Sequence, residues 1–521
     1  MDMTVFTNAD FISCEENNRS FSTMVVDKGR IVYTGDEIPS RYSKAKKVDL
    51  GGKCVVPAFA DTHIHFESYA LFMSTLDVRD AVNFDDMRRM VQDYFKVNPK
   101  AKFLPAFGCT AHTVEEKRLP ERKDLDKMTN VPFMIVKYDG HAGVANSAFI
   151  DSLPEEVKKD PGFNAETGWM YQNAFYSGVN YMTSKVSPLK VLKSLANASD
   201  SMARQGIALI HNVEGVGYKN DVDIDTIKFV ARGLPQAFRI FFQTTEADKV
   251  VKRKLPRIGG CFRLALDGCF GSEDAALSRP YENNPDNKGF LLYTQEEVND
   301  FCIKANRLGL QISMHAIGDI AVDQALTAYE TALKDFPRKD HRHIIIHADL
   351  IPEEMQERAA KLGICIAAQP VFLYWKHEPA EYLERILGDR ANEMIPLKSM
   401  IDKGIIVSAG SDAPCTIPDP ISSIHFCCNH PNREQSVNAL DALRMHTSWA
   451  AYMSFDENER GALKQGLIAD FVVLSENPLK IPSDQIKRIK VEDTYFAGEK
   501  YKRNVSGPFS LICRSLVRKA R

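Results

Sequence analysis

The feature that most restricts how this chain can fold is a rhythm in its middle. Short apolar runs recur there: Ile207 to Ile210, Ile240 to Phe242, Phe262 to Leu266, Gln311 to Met314, Ile344 to Ile346, Ile364 to Ile366 and Ile405 to Val407. Runs of this length without polar alternation read as strands buried on both faces, the condition of a parallel sheet. Between them lie longer stretches with helical spacing, such as Thr294 to Leu308 and Ile320 to Lys334. Repeated strand–helix units predict a parallel barrel or a doubly wound sheet. Residues ~75–200 break the rhythm and read as an insertion after the first barrel strand.

The two ends of the chain are different in kind. Ser22 to Tyr33 holds two apolar runs around Lys28-Gly29 and predicts a hairpin. Val48 to Val56 predicts another strand pair around Gly51-Gly52, and Ala469 to Leu474 and Thr494 to Phe496 are β-rich as well. Strand-rich pieces at both ends can pair into one small sheet, with the middle inserted between them. The expected fold class is therefore α/β: a (β/α)₈ TIM-like barrel over 58–460, with a small β-sandwich domain built from 1–57 plus 461–521.

Composition agrees and excludes several classes. With 521 residues, 44% of them apolar, the chain can fill a large barrel and a second domain. Its formal charge of −3 gives no pull towards nucleic acid or an anionic membrane. The first residues carry acids and no long apolar core, unlike a signal peptide, and no stretch approaches the ~20 apolar residues of a spanning helix. Eleven cysteines are scattered without a C-x-x-C pair, as in a cytoplasmic protein with reduced thiols.

The chemistry is carried by polar residues at predicted strand ends. In Val55-Val56-Pro57-Ala58-Phe59-Ala60-Asp61-Thr62-His63-Ile64-His65, the two histidines are two apart and project to one side of a strand. Alone, such a pair is a weak signal. His315 and His347, however, also sit at the ends of apolar runs, and Asp412 follows Ile405 to Ser411. In a parallel barrel all strand C-termini meet on one face, where active sites form. His63, His65, His315, His347 and Asp412 are thus the expected ligands of a divalent metal, zinc being suited to such donors. Asp412 serves either as ligand or as proton acceptor, and Asp412 and His347 are the candidate catalytic groups. The expected reaction is hydrolysis of a small molecule at an amide-like centre.

With those residues assembled, the sequence resembles the amidohydrolase superfamily, and within it the YtcJ-like branch, amidohydrolase family 3, which includes N-substituted formamide deformylases. The resemblance rests on Pro57 to His65, Asp139-Gly140-His141 through Asn146-Ser147, His315 to Asp319, Ala368-Gln369-Pro370-Val371, Gly410 to Pro414 and Gly461 to Asp470. It implies that His63 and His65 are first-strand ligands, His315 and His347 those of the fifth and sixth strands, and Asp412 the eighth-strand proton shuttle. It also implies zinc, singly or as a pair. Such relatives commonly carry a lysine four residues before the Asp-Gly of the fourth strand, where carbamylation lets it bridge two ions. Here Arg263 stands at that position, and arginine stays protonated. One ion, or a carboxylate from Glu214 or Asp267, is the expected consequence. Ile346, where relatives have glutamate, and Ala58, where they have glycine, are further departures.

His141 is expected to line the pocket, a structural loop histidine being the competing reading; Arg279 and Tyr281 are expected either to clamp the substrate or to pack their own loop; Asp267 and Glu214 are expected to border the site, a solvated loop acid being the competing reading of Glu214. The same barrel also hosts isomerases and lyases, and a chain whose centre had lapsed would be a binding protein. Arg263 favours the lapsed centre; the four histidines and Asp412 argue against it. A homodimer is the expected assembly, as for many soluble enzymes.

Overall fold

The structure, a computed structural model, describes residues 3–215, 221–503, 505, 507–519 and 521. Its centre is a barrel of eight parallel strands: β1 (Phe59–Ile64), β2 (Ile207–Glu214), β3 (Ala237–Phe242), β4 (Arg257–Ala265), β5 (Gln311–Ala316), β6 (Ile344–His347), β7 (Cys365–Ala368) and β8 (Val407–Ala409). They are hydrogen-bonded in chain order. The ring closes where Ile64 bridges Ala413 and the Asp412 N–H donates to the His63 carbonyl at 2.8 Å. Every residue of β1, β2, β5, β6, β7 and β8 is buried. That explains the unbroken apolar runs: helices cover the outside, and side chains from neighbouring strands fill the inside.

Helix boundaries follow local chemistry. Helix Gln295–Arg307 starts where the Thr294 hydroxyl accepts the Glu297 N–H and the Glu297 carboxylate accepts the Thr294 N–H, a reciprocal cap. After β5, helix Asp319–Asp335 buries eight of its residues, among them Val322, Leu326 and Tyr329, against the barrel.

The terminal strands form one mixed seven-stranded sheet in the order Glu499–Lys500, Val491–Phe496, Phe471–Leu474, Lys46–Pro57, Thr4–Ile12, Ser20–Asp27 and Arg30–Gly35. It curls back on itself, Arg30 bridging Ile468, around Phe6, Phe11, Met24, Phe471 and Tyr495. The expected strand pair around Gly51-Gly52 is instead a single strand, Lys46–Pro57. Both glycines have positive φ, and the Asp49 carboxylate accepts the Gly51 N–H at 2.8 Å, so they make a kink within the strand and not a reversal.

Between β1 and β2 the chain builds a second sheet of five strands, from Leu76–Asp77 to Trp169–Tyr171, with its own core around Met87, Leu104, Phe133 and Trp169. Helix Pro188–Arg204 then packs on helix Phe66–Phe72 and leads into β2, so it belongs to the barrel's outer layer. Ten cysteines are buried and Cys513 is exposed; all are free thiols. Among the described residues no helix is long and apolar enough to cross a membrane.

Candidate metal centre and active site

The C-terminal ends of the barrel strands gather a compact group of donors. His63 Nε2 lies 3.0 Å and His65 Nε2 3.5 Å from Asp412 Oδ1, and these three donor atoms are mutually close enough to hold one ion. The His63 ring centroid is 5.5 Å from that of His347, which is 4.5 Å from that of His315. The structure thus brings His63, His65, His315, His347 and Asp412 to one place. Buried nitrogens without hydrogen-bond partners, Nδ1 of His63, His315 and His347, accompany them. A cluster of buried neutral imidazoles with orphaned nitrogens and one carboxylate is a donor set that a divalent ion fits.

Backbone geometry aims two of these side chains. His347 and Asp412 both have positive φ, 72° and 53°, a conformation costly for such residues and tolerated where the surroundings enforce it. Asp61, buried on β1, accepts the Ser411 N–H at 2.9 Å, the Ser411 hydroxyl at 2.6 Å and the His63 N–H at 3.3 Å. It ties β1 to the segment carrying Asp412.

Burial disfavours the charged form of the His63, His315 and His347 imidazoles, and the neutral form is the one that ligates. His347 is lowered to about 3 and His315 well below the ordinary histidine value, desolvation being the main cause in each. Burial pushes Asp412 up, but the imidazoles of His63, His65 and His347 outweigh it and hold its carboxyl well below the usual range. Asp412 is the acid whose carboxylate touches the His63 and His65 ring nitrogens, and burial does not neutralise it.

Cys261 belongs to this place, and His211 lies deeper in the barrel, nearer Arg257 and Asp456; both were missed in the sequence. Cys261, on β4, puts its Sγ 3.2 Å from His63 Nε2 and 3.8 Å from His347 Nε2, and with them forms a second set of three donors. His211, buried on β2, has no partner on either ring nitrogen. Its outward signal was its strand parity with Val213, which also faces the barrel interior.

A cavity of ≈ 110 Å³ opens from this centre. His141 and Glu214 line it, and the His141 ring lies 6.0 Å from that of His315. Glu214 ends β2, is buried, and accepts the Glu67 N–H at 2.7 Å; burial and the Glu67 carboxylate push it well up. The competing reading, a solvated loop acid, is overturned.

Asp267 is engaged with backbone, accepting N–H groups of Ala276, Ile317 and Gly318 at 2.9, 3.0 and 2.8 Å, with His315 Nε2 3.5 Å away. Burial raises it to about 7 despite those donors. It orients the His315 strand end. Neither Glu214 nor Asp267 joins a donor set among the described residues.

The substrate-clamp expectation for Arg279 and Tyr281 is corrected by their placement. Arg279 is exposed and pairs with Asp389 at 3.2 Å, and Tyr281 is buried with its hydroxyl on the Ala275 carbonyl at 3.0 Å. Neither lines the cavity. The loop carrying them is held by Arg390, which donates to the Arg279 carbonyl at 2.9 Å and the Pro280 carbonyl at 2.6 Å.

A parallel barrel with histidine and aspartate donors at its mouth defines a metal-dependent hydrolase. The profile of the Amidohydrolase family matches residues 46–500, and the chain belongs to that family. It is 26% identical to the protein YtcJ of Bacillus subtilis (strain 168), over 93% of this chain and 96% of that one. It is 24% identical to an N-substituted formamide deformylase of Arthrobacter pascens, over 94% and 96%. An uncharacterized metal-dependent hydrolase of Pyrococcus horikoshii OT3 has the same fold, with a TM-score of 0.75 at 22% identity, covering 92% of this chain and 99% of its own.

Proposed function

We propose that this enzyme hydrolyses the C–N bond of a small N-substituted amide or formamide, with zinc as its ion. The observation that carries the reading is the continuity between donors and cavity: His65, His315, His347 and Asp412 form one end of a space whose wall is Leu71, Phe72, Phe107, Phe175, Val179 and Phe262. A divalent ion held by such donors supplies Lewis acidity, acidifying water and polarising an amide-like carbonyl.

The chain's own groups do the rest. The Asp412 carboxylate takes the proton of the attacking water and returns it to the leaving nitrogen. His141, beside His315, donates to the carbonyl oxygen. The apolar wall seats the nitrogen substituent and keeps bulk water from the centre. The deformylase of Arthrobacter pascens, by its name, acts on N-substituted formamides, and an apolar wall suits such substituents. The buried free thiols suit a reducing compartment, as in the cytoplasm.

The test is a panel of formamides, acetamides and cyclic amides bearing alkyl or aryl substituents, assayed with zinc-loaded protein. Turnover that prefers apolar substituents is expected. No turnover in any class, or solvent-deuterium exchange into substrate without cleavage, sinks the reading.

A further inference from the structure

The fourth strand departs from relatives at the position where a carbamylated lysine would join two ions, and the structure shows what stands in its place. β4 pairs regularly with β5 up to Gly260–Met314, then shifts so that Ala265 faces His315. Residues 261–264 are thereby thrown out of the ladder. Gly259 and Gly260 make this feasible: their φ values are 124° and 153°, and a Cβ at Gly259 would lie 1.8 Å from the Ser313 carbonyl oxygen. The bulge is held by buried Gln243, whose Oε1 accepts the N–H groups of Cys261 at 2.9 Å and Phe262 at 3.0 Å. Arg263 is exposed, with only its carbonyl engaged, by the Tyr293 hydroxyl. No lysine occurs between Arg257 and Gly268. The side chain this construction delivers to the centre is Cys261.

We infer that Cys261 is a metal ligand whose sulfur joins two ions, one at His63, His65 and Asp412, the other at His347. This rests on the metal-dependent reading above. Zn–S and Zn–N bonds of about 2.3 and 2.0 Å at a tetrahedral angle put ligand atoms about 3.5 Å apart. The observed 3.2 Å to His63 Nε2 and 3.8 Å to His347 Nε2 bracket that edge. His63 belongs to both donor sets, and the sulfur touches it at 3.2 Å, at the seam where the two sets meet. No described group other than those two histidines is hydrogen-bonded to the sulfur, although it is buried. Binding releases the thiol proton to solvent, and a soft sulfur donor selects zinc, cadmium or cobalt over magnesium or manganese. Assembly of the pair requires no bicarbonate, because no lysine is carbamylated.

The experiment is elemental analysis and zinc-edge X-ray absorption on the full chain, stripped of metal and reloaded with zinc in bicarbonate-free buffer, beside Cys261→Ser and Cys261→Ala. The expected native result is two ions per chain with a sulfur scatterer at about 2.3 Å. Both variants should lose that scatterer and bind the second ion at least about 10- to 100-fold more weakly, the cost already seen when only a hydrogen-bond partner of a ligand is removed. One ion in the native protein, two ions without a sulfur scatterer, or variants that keep both ions at native affinity would each overturn it. A protein with the sulfur scatterer and two ions that hydrolyses nothing in the amide panel would instead leave this inference standing and remove the proposed activity.

Discussion

The two ends of the barrel are both polar and both buried, and they treat their polar groups in opposite ways. At the N-terminal end, Arg239 reaches Asp456, with Nε to Oδ2 at 2.6 Å. Arg257 donates to Gln311 at 3.0 Å and to the Ser454 carbonyl at 2.5 Å. Arg342 contacts Asp340 at 2.6 Å and Glu457 at 2.8 Å between the rings of Tyr452 and Phe455. At the C-terminal end, Nδ1 of His63, His315 and His347 is orphaned, His347, Ala348 and Asp412 hold left-handed backbone, and a carboxylate sits against two histidines. The first end gives each of these arginines a carboxylate, amide or carbonyl partner, so that removing one partner there is costly. The second leaves its donors unspent, which costs stability and suits them for an ion.

Mutation should separate the ends. The largest effect is expected for Asp412→Asn, with kcat on the best panel substrate falling about 10²–10⁴-fold, the usual worth of a general acid–base, while the unfolding midpoint is unchanged or rises. A comparable loss of midpoint would erase the distinction. Arg239→Met should do the reverse: it leaves the buried Asp456 with only Ser454 and the more distant Arg460 and lowers stability by about 1–3 kcal/mol, with kcat/KM of the folded fraction preserved. Urea unfolding beside steady-state kinetics reads both.

A third site lies between these extremes. Burial pushes Asp139 up, but Lys137, 2.6 Å away, overrides it and the carboxyl sits at about 2, below its ordinary 3.8. A depressed carboxyl contributes stability above the unfolded pKa and loses it as pH falls through the folded one. About 2 kcal/mol should therefore disappear between pH 4 and 2. Asp139→Asn should lose about 2–4 kcal/mol at pH 7, stranding a buried ammonium, and show a flatter acid limb in urea melts. The smallest effect is expected for Arg279→Ala, under about 0.5 kcal/mol with kcat/KM unchanged, since its ion pair is exposed and away from the cavity. A tenfold fall in kcat/KM would restore Arg279 to the site.

Much of this was legible in order and little of it in contact. The spacing over Thr294 to Leu308 announced a helix, and the Thr294–Glu297 cap that starts it lies within three residues of sequence. The apolar runs announced strands because burial on both faces forbids alternation. Gly51-Gly52 misled because a kink and a turn use the same residues, and only the neighbouring strand Thr4–Ile12 decides between them. Glu214 was ambiguous because its burial comes from the helix after β1, almost 150 residues away.

What the sequence determined by itself was periodic or local: the strand–helix alternation, the strand ends at His63, His65, His315, His347 and Asp412, and the chemistry those donors favour. What the tertiary structure alone decided was which other side chains share that space. Cys261 reaches the histidines through a bulge whose shape is fixed by Gln243 and Ser313 on adjacent strands, and Arg279 leaves because its loop packs elsewhere. Strand periodicity propagates along the chain and can be read from it, whereas a break in that periodicity is settled by packing against residues far away in sequence.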